Sequence, residues 1–237
     1  MAEIYKNYTS TSVLHGVDEE SFTRRRVAFF RQNVVRHLPT DRSSPVLDCG
    51  CGYGAYLTVL RDQGYTNLAG IDISEEQIAF GRNKFGLKNV MVADAFAYLA
   101  ARKNEFAAIL LLDVLEHIET TKSIELIVLA REALRTEGVL VLQVPNGLSP
   151  LSINYWGDVT HRRAYSTKSM DQTLLMGGFQ RFSHFSCPPP VSSLKSRCLS
   201  ISWKFFMAPL IKAFLYASYG TSSGGIYTPN LLTVAYK

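Results

Sequence analysis

Two groups of side chains in this chain have the types and spacing to do chemistry. The first is Asp113-x-x-Glu116-His117. If a helical turn begins at Asp113, positions i, i+3 and i+4 share one face, so two carboxylates and an imidazole converge. Downstream, GDVTHRRAYS (157–166) supplies His161 in a loop. Imidazole has an ordinary pKa of about 6.5, so it can take a proton from a weak nucleophile at neutral pH. The second group is VLDCGCGYGAYL (46–57), an apolar strand that ends in an acid and runs into Gly50, Gly52 and Gly54. Glycines at alternate positions let the backbone turn sharply and approach a ligand closely. The helix after them aims its unsatisfied N–H groups and positive dipole end at that ligand, which suits a nucleoside cofactor.

These residues need a scaffold, and hydrophobic periodicity supplies one. Asp18 to His37 reads as a helix with an apolar stripe at Phe22, Val27, Phe29, Phe30, Val34 and Leu38. Strands are expected at 45–49, 68–73, 90–93, 106–114, 138–146, 179–187 and 230–235, with helices at 55–63, from Ser74, at 120–134 and from about Thr167. Ser74, with Gln77 three residues on, has the pattern of a helix cap. FAAILLLDV (106–114) is apolar on both faces, as a central parallel strand must be. Alternating strands and helices predict an α/β, doubly wound, Rossmann-like sheet of seven strands. In such sheets ligands bind outside the carboxyl ends of the strands, and Asp48, Asp72, Asp94 and Asp113 all fall at or near those ends. Four acids gathered there are hard to explain by stability alone.

The glycine spacing separates two cofactor classes. The dinucleotide fingerprint is G-x-G-x-x-G over a pyrophosphate; here the pattern is Asp48-x-Gly50-x-Gly52-x-Gly54. An acid before the first glycine would repel a pyrophosphate but can accept a hydrogen bond from an ammonium group. On these residues the chain, from about 44 to 187, resembles the class I S-adenosylmethionine methyltransferases. The resemblance implies an antiparallel last strand and S-adenosylmethionine bound by Asp48, Gly50, Cys51, Gly52, Gly54, Asp72, Ile73, Asp94, Ala95 and Asp113. Within that set it implies that Asp72 takes the ribose hydroxyls and that Asp94, with Ala95 and Phe96, takes the adenine.

The pairing of D-x-x-E-H with a later His resembles two narrower groups: ubiquinone-pathway O-methyltransferases and small-RNA terminal ribose 2′-O-methyltransferases. It implies that Asp113, Glu116, His117 and His161 form the catalytic set and hold a divalent metal gripping adjacent hydroxyls, with Asp113 standing where those families have a longer Glu. By ligand softness such a set suits Mn²⁺, Fe²⁺ or Zn²⁺ better than Mg²⁺. Two further readings stay open at this point: His161 or His117 acts as a base without metal, or "LEH" is only a helix start.

The loop 147–166 carries Tyr155, Trp156, Arg162, Arg163 and Tyr165, and the first four are the candidate substrate contacts. This loop and the terminal TPNLLTVAYK resemble methyltransferases of bacterial cell-surface glycan pathways. The expected reaction is therefore O-methylation of a sugar-containing substrate. The alternatives are RNA 3′-terminal ribose methylation, a quinone-precursor or natural-product acceptor, and a non-catalytic cofactor-binding partner.

Charge is uneven. The chain carries +5 overall, but residues 1–150 hold 16 Lys and Arg against 18 Asp and Glu, whereas residues 151–237 hold 9 against 2. A basic second half favours an anionic partner or simply keeps the protein soluble. Hydrophobic content of 47% suffices for a full core. MAEIYKNYTS has no signal-peptide run, and the four cysteines read as small buried residues, so a cytoplasmic location is expected. Expected organisation is a helical cap (1–43), a cofactor-binding core (44–190), and an inserted helical segment plus last strand (191–237). Tyr5 and Tyr8 are candidates to close over the site. Segment 194–217 is expected to be a lid on the core, a homodimer face or a membrane-surface helix. Its two lysines and Pro209 argue against a membrane span.

Overall fold

The computed structural model describes residues 19–222 and 224–237, so Tyr5, Tyr8 and the part of the expected cap before Glu19 lie outside the described residues. The parallel strands are β1 (Val46–Cys49), β2 (Leu68–Asp72), β3 (Val90–Val92), β4 (Phe106–Leu112) and β5 (Leu134–Pro145). With β6 (Arg181–Cys187) and β7 (Asn230–Tyr236) they form one seven-stranded sheet in the order β3-β2-β1-β4-β5-β7-β6. Only β7 runs against its neighbours, pairing antiparallel with both β5 and β6. This is the doubly wound arrangement expected from the alternation of elements.

Both faces are covered, which explains the near-continuous apolar strands. Side chains alternate across the sheet. Leu47, Ile109, Leu111, Leu140 and Leu142 pack beneath α4 (Ala95–Ala100), α5 (Thr120–Ala133) and α7 (Thr167–Met176), against Leu99, Ile127 and Leu174. Val46, Ala108, Leu110 and Val141 face the other way, toward α1 (Glu19–Asn33) and α2 (Ala55–Asp62). There Phe30 stacks on Tyr56 with ring centroids 4.5 Å apart. α3 (Glu75–Phe85) comes after β2 and is capped by Ser74, whose hydroxyl accepts from the Gln77 N–H.

Three boundaries differ from the sequence reading for local reasons. The first helix ends at Asn33 and continues as a single 3₁₀ turn, Val35–His37. β5 begins at Leu134, directly after α5. Its pairing with β4 jumps from Phe106–Leu134 to Ala108–Val139, around Glu137 in a left-handed conformation (φ 59°). β4 stops at Leu112 because Asp113 is also left-handed (φ 59°), and the chain then enters a 3₁₀ turn, Leu115–His117.

α6 (Ile153–Trp156) is a short turn of helix entered through two left-handed residues, Leu151 and Ser152. Between β6 and β7 the chain makes a long excursion. α8 (Leu194–Ser202) opens with a Ser193–Ser196 capping box and passes through a π turn, Trp203–Met207, into α9 (Ala208–Tyr219). The wider turn falls where Pro209 offers no N–H to the Phe205 carbonyl. The result is one helical rod of 26 residues. None of its most apolar window is buried, which excludes a lid packed on the core. Among the described residues it is the one helix long and apolar enough, by length and composition, to cross a membrane. Cys49, Cys51 and Cys187 are buried as expected, but Cys198 rides on this rod and is exposed.

Candidate active site

A cavity of about 870 Å³ opens at the carboxyl edge of the sheet, over the ends of β1, β2 and β4. One wall is the glycine turn. Gly50 and Gly52 have φ of +84° and +55°, which side chains rarely tolerate. A Cβ on Gly50 would fall 2.5 Å from the Val114 Cγ2, and one on Gly52 would fall 2.7 Å from the Gln77 Oε1. The turn is fixed from β2: Gly50 and Cys51 donate to the Ile71 carbonyl at 2.8 and 2.9 Å. Gly52 N–H donates to the Asp72 Oδ2 at 2.8 Å, while the other oxygen of Asp72 accepts from Ser74 N–H at 2.8 Å. Burial raises the Asp72 pKa, and those N–H groups oppose the shift.

Cys51, Ile73, Asp94 and Ala95 line this end of the cavity as well. Asp94 carries a second duty, capping α4 by accepting from Ala97 N–H at 2.9 Å. Two of the expected contacts are displaced from the lining. Gly54 precedes α2, where a Cβ would fall 2.4 Å from Leu87 Cδ1, so its role is packing. Asp48 points to the α1/α2 side of β1, because alternate residues of a strand face opposite ways. It is buried, and its Oδ2 has no hydrogen-bond partner among the described residues. Burial pushes its pKa up to about 7; the charge of Arg26 pulls it down, and Asp72 adds to the rise.

Arg26 joins the site although no sequence motif points to it. It comes from α1 and lines the cavity, its guanidinium 5.1 Å from the Tyr56 ring centroid. Burial disfavours its charge, but Tyr56, Asp113 and Tyr53 more than offset that and hold its pKa above the ordinary value. The one signal in the sequence is an arginine within the helical spacing of the buried stripe, four residues before Phe30.

The opposite wall holds the catalytic candidates. Glu116, His117 and His161 bring one potential ligand atom each to within 4.8 Å of one another. The two imidazole rings lie 4.7 Å apart. Glu116 is 0% exposed, and neither carboxylate oxygen has a hydrogen-bond partner among the described residues. Burial and the nearby charges of Asp113 and Asp158 push its pKa well above the usual carboxylate range. Burial and His161 push that of His117 down.

Bonds from behind the rings set the tautomers. The Thr160 hydroxyl donates to Asp158 Oδ1 at 2.6 Å, so it accepts from the His117 Nδ1–H at 2.8 Å. His161 Nδ1–H donates to the Tyr155 carbonyl at 2.9 Å. In the neutral form of each ring, Nε2 is therefore the nitrogen that carries the lone pair.

Asp113 does not join this cluster. The expected helical turn is absent: the left-handed Asp113 directs its Oδ1 to Gln143 Nε2 of β5, 2.8 Å away. It lines the cavity between the two walls instead.

The four expected substrate contacts are likewise placed outside the lining. The Arg162 guanidinium pairs with Glu119 at 2.7 Å and that of Arg163 bonds Thr120 Oγ1 at 3.1 Å, both at the start of α5. It is the Arg162 backbone N–H that matters, donating to the Glu116 carbonyl at 2.7 Å and tying the loop to the catalytic turn. Tyr155 stacks near His161, and Trp156 is exposed. Ile153, Asn154, Asp158 and Asn230 form the lining on that side, with Asn154 donating to Asn230 Oδ1 at 2.7 Å.

Residues 22–184 match the family described as a methyltransferase domain. An uncharacterized protein of Methanocaldococcus jannaschii is 33% identical over 113 residues, which cover 48% of this chain; the match spans about half (46%) of that relative's length. A crystal structure of a SAM-dependent methyltransferase from Archaeoglobus fulgidus superposes with a TM-score of 0.68 at 22% identity, covering 91% of this chain and 94% of that one. Phosphoethanolamine N-methyltransferase 2 of Haemonchus contortus, in complex with S-adenosyl-L-methionine, superposes with a TM-score of 0.63 at 16% identity, covering 98% of this chain and 60% of that one. With the family matched over more than half its length, on this sheet order and around this cavity, the chain belongs to the class I S-adenosylmethionine-dependent methyltransferases.

Proposed function

We propose that this chain is an O-methyltransferase that accepts a hydroxyl of a sugar-containing substrate at Glu116, His117 and His161. The observation that carries the reading is the buried Glu116 carboxylate, which lacks a hydrogen-bond donor among the described residues and faces two Nε2 lone pairs across the cavity from the glycine turn.

S-adenosylmethionine supplies an electrophilic methyl on a sulfonium. The residues fit it: Asp72 for the ribose hydroxyls, Asp94 with Ala95 for the adenine, and Cys51, Ile73 and the backbone of Gly50 and Gly52 against the rest. The α2 N-terminus, which has no side-chain cap, offers its N–H groups to a carboxylate. Asp48 acts from beneath the turn, through its charge.

A hydroxyl is a poor nucleophile at neutral pH, so the acceptor wall must help remove its proton. Glu116, His117 and His161 would hold a divalent ion such as Mn²⁺, Fe²⁺ or Zn²⁺, with Mg²⁺ a poorer match to imidazoles. That ion would supply the positive charge that lowers a neighbouring hydroxyl's pKa. A Glu116 carboxylate that is buried without a hydrogen-bond donor among the described residues, beside two half-buried imidazoles held by Thr160 and Tyr155, supports this, because an unpaired buried carboxylate is otherwise costly. A metal-free reading rests on the Tyr155 bond, which leaves His161 Nε2 as the proton acceptor. Asp113 orients the floor between the walls in either case.

The polar lining of Asn154, Asp158 and Asn230 suits a hydroxyl-rich acceptor. The basic second half suits an anionic one, such as a glycan or nucleotide sugar. RNA is less favoured, since the sequence carries no motif of a known RNA-binding module beside its basic second half. The nematode neighbour's name points to an amine, whose ammonium form the Glu116 carboxylate would also pair with, so the acceptor screen separates the two readings. The test is a cofactor-consumption screen over nucleotide sugars, lipid-linked glycans, short RNAs and phosphoethanolamine, run with chelator and with Mn²⁺ restored. Turnover of a sugar hydroxyl supports the reading, and turnover of the amine alone overturns it.

A further inference from the structure

The rod from Leu194 to Tyr219 exposes large apolar side chains to water, and no described residue covers them. Phe205 is 62% exposed, Phe206 69%, Leu210 64% and Phe214 63%, and the apolar window has a mean hydropathy of 1.4. Such a patch marks an interaction surface. Three features say what covers it.

First, its charge is one-sided: the rod carries Lys195, Arg197, Lys204 and Lys212 and no acid. Second, its apolar side chains are not confined to one stripe. Within α9, at about 100° per residue, Leu210 and Phe214 fall on one side, while Tyr216 and Tyr219 fall on the other. A second copy of the chain would cover one face only, whereas a lipid interface, into which such a helix sinks by about 5–10 Å, wraps more of its circumference.

Third, the cavity rim has the same character. Leu151 is 83% exposed, Trp156 75% and Val159 99%, around the α6 segment that lines the mouth. This rim and the rod are tied to the same edge. The excursion leaves the sheet at Cys187 and returns at its register partner Asn230, and Asn230 accepts the Asn154 hydrogen bond from α6.

We infer that the Leu194–Tyr219 rod docks this protein on an anionic lipid surface, with the cavity mouth beside that surface. Cations near such a surface gain about fivefold each in partitioning, and interfacial aromatics insert beside them. The two central lysines keep the rod in the headgroup layer rather than across the bilayer. Docking requires nothing of the acceptor chemistry proposed above, and vesicle binding reads it without any methyl transfer.

The experiment is flotation of the full chain with vesicles of phosphatidylcholine alone and of equal parts phosphatidylcholine and phosphatidylglycerol. The expected result is binding that is stronger on the anionic vesicles and weakened by salt. Phe205→Ser/Phe206→Ser/Phe214→Ser should lower it by about tenfold or more, with S-adenosylmethionine affinity by calorimetry unchanged. If that triple variant fails to fold, Lys204→Glu/Lys212→Glu decides, with a loss of about 25-fold or more expected at low salt. Failure to float on either vesicle would overturn the inference. So would a stable dimer that the triple variant converts to monomers and vesicles leave intact.

Discussion

His161 Nε2 and Glu116 Oε1 face one another at 3.9 Å, too far for a hydrogen bond and too close for either to be indifferent to the other's charge. The gap is held open from outside. Tyr155 fixes the histidine by its Nδ1, and Arg162 N–H fixes the backbone of Glu116. Two groups kept apart in this way are poised for a third participant, an ion or an acceptor proton.

Glu116→Gln removes a buried charge that burial already disfavours. Because the folded-state pKa is raised, the wild-type carboxyl destabilises the fold increasingly as pH rises past its unfolded value, and the variant escapes that cost. The metal-free variant should therefore melt higher than wild type at pH 8, by about 2–4 °C per kcal/mol gained. It should also bind no Mn²⁺ or Zn²⁺ by calorimetry. Metal affinity equal to wild type would remove Glu116 from the donor set.

His161→Ala should lower the transfer rate by about 10²–10⁴-fold, the usual worth of a positioned acid–base group. Calorimetry should show S-adenosylmethionine affinity within about twofold, since His161 stands on the wall opposite the glycine turn. A matching loss of cofactor affinity would place His161 in the cofactor site instead.

Asp48 gives a pH signature of its own. Its folded pKa, raised to about 7, lies above the ordinary carboxylate value, so the folded state binds the extra proton between those limits. Stability contributed by the protonated form is complete below the unfolded pKa and fades as pH climbs toward 7. Asp48→Asn should flatten that dependence and stabilise the protein at pH 8 by on the order of a few kcal/mol. Urea unfolding of both forms at pH 5 and pH 8 measures it, and parallel slopes would refute the shift.

Arg162→Ala tests the displacement of the arginine from the substrate side. Its exposed pair with Glu119 is worth about 0–1 kcal/mol, and its backbone N–H survives the change. Turnover and KM should stay within about threefold. A tenfold rise in KM would restore Arg162 to the acceptor site.

Local chemistry made much of the site legible. The glycine turn, Asp72, Asp94 and the His161 loop all sit at strand ends, where the pattern of apolar runs already places them. Asp113 misled because its backbone is set across the sheet, by Gln143 on β5, and not by the residues just after it. Arg26 was hidden because a charge on an apolar stripe becomes meaningful only once Tyr56 and Asp48 are seen beneath it. Arg162 and Arg163 stand outside the lining because their guanidinium groups bond Glu119 and Thr120, forty-odd residues earlier in the chain.

The sequence by itself determined the order of elements, the positive-φ turn and the acids at the carboxyl edge, because these arise from periodicity, glycine sterics and chain direction. Tertiary structure alone decided which of those acids meet, that Glu116 is buried without a donor among the described residues, and that the apolar rod is left uncovered. Burial and pairing depend on what other segments bring to the same place, and a linear pattern carries no record of that.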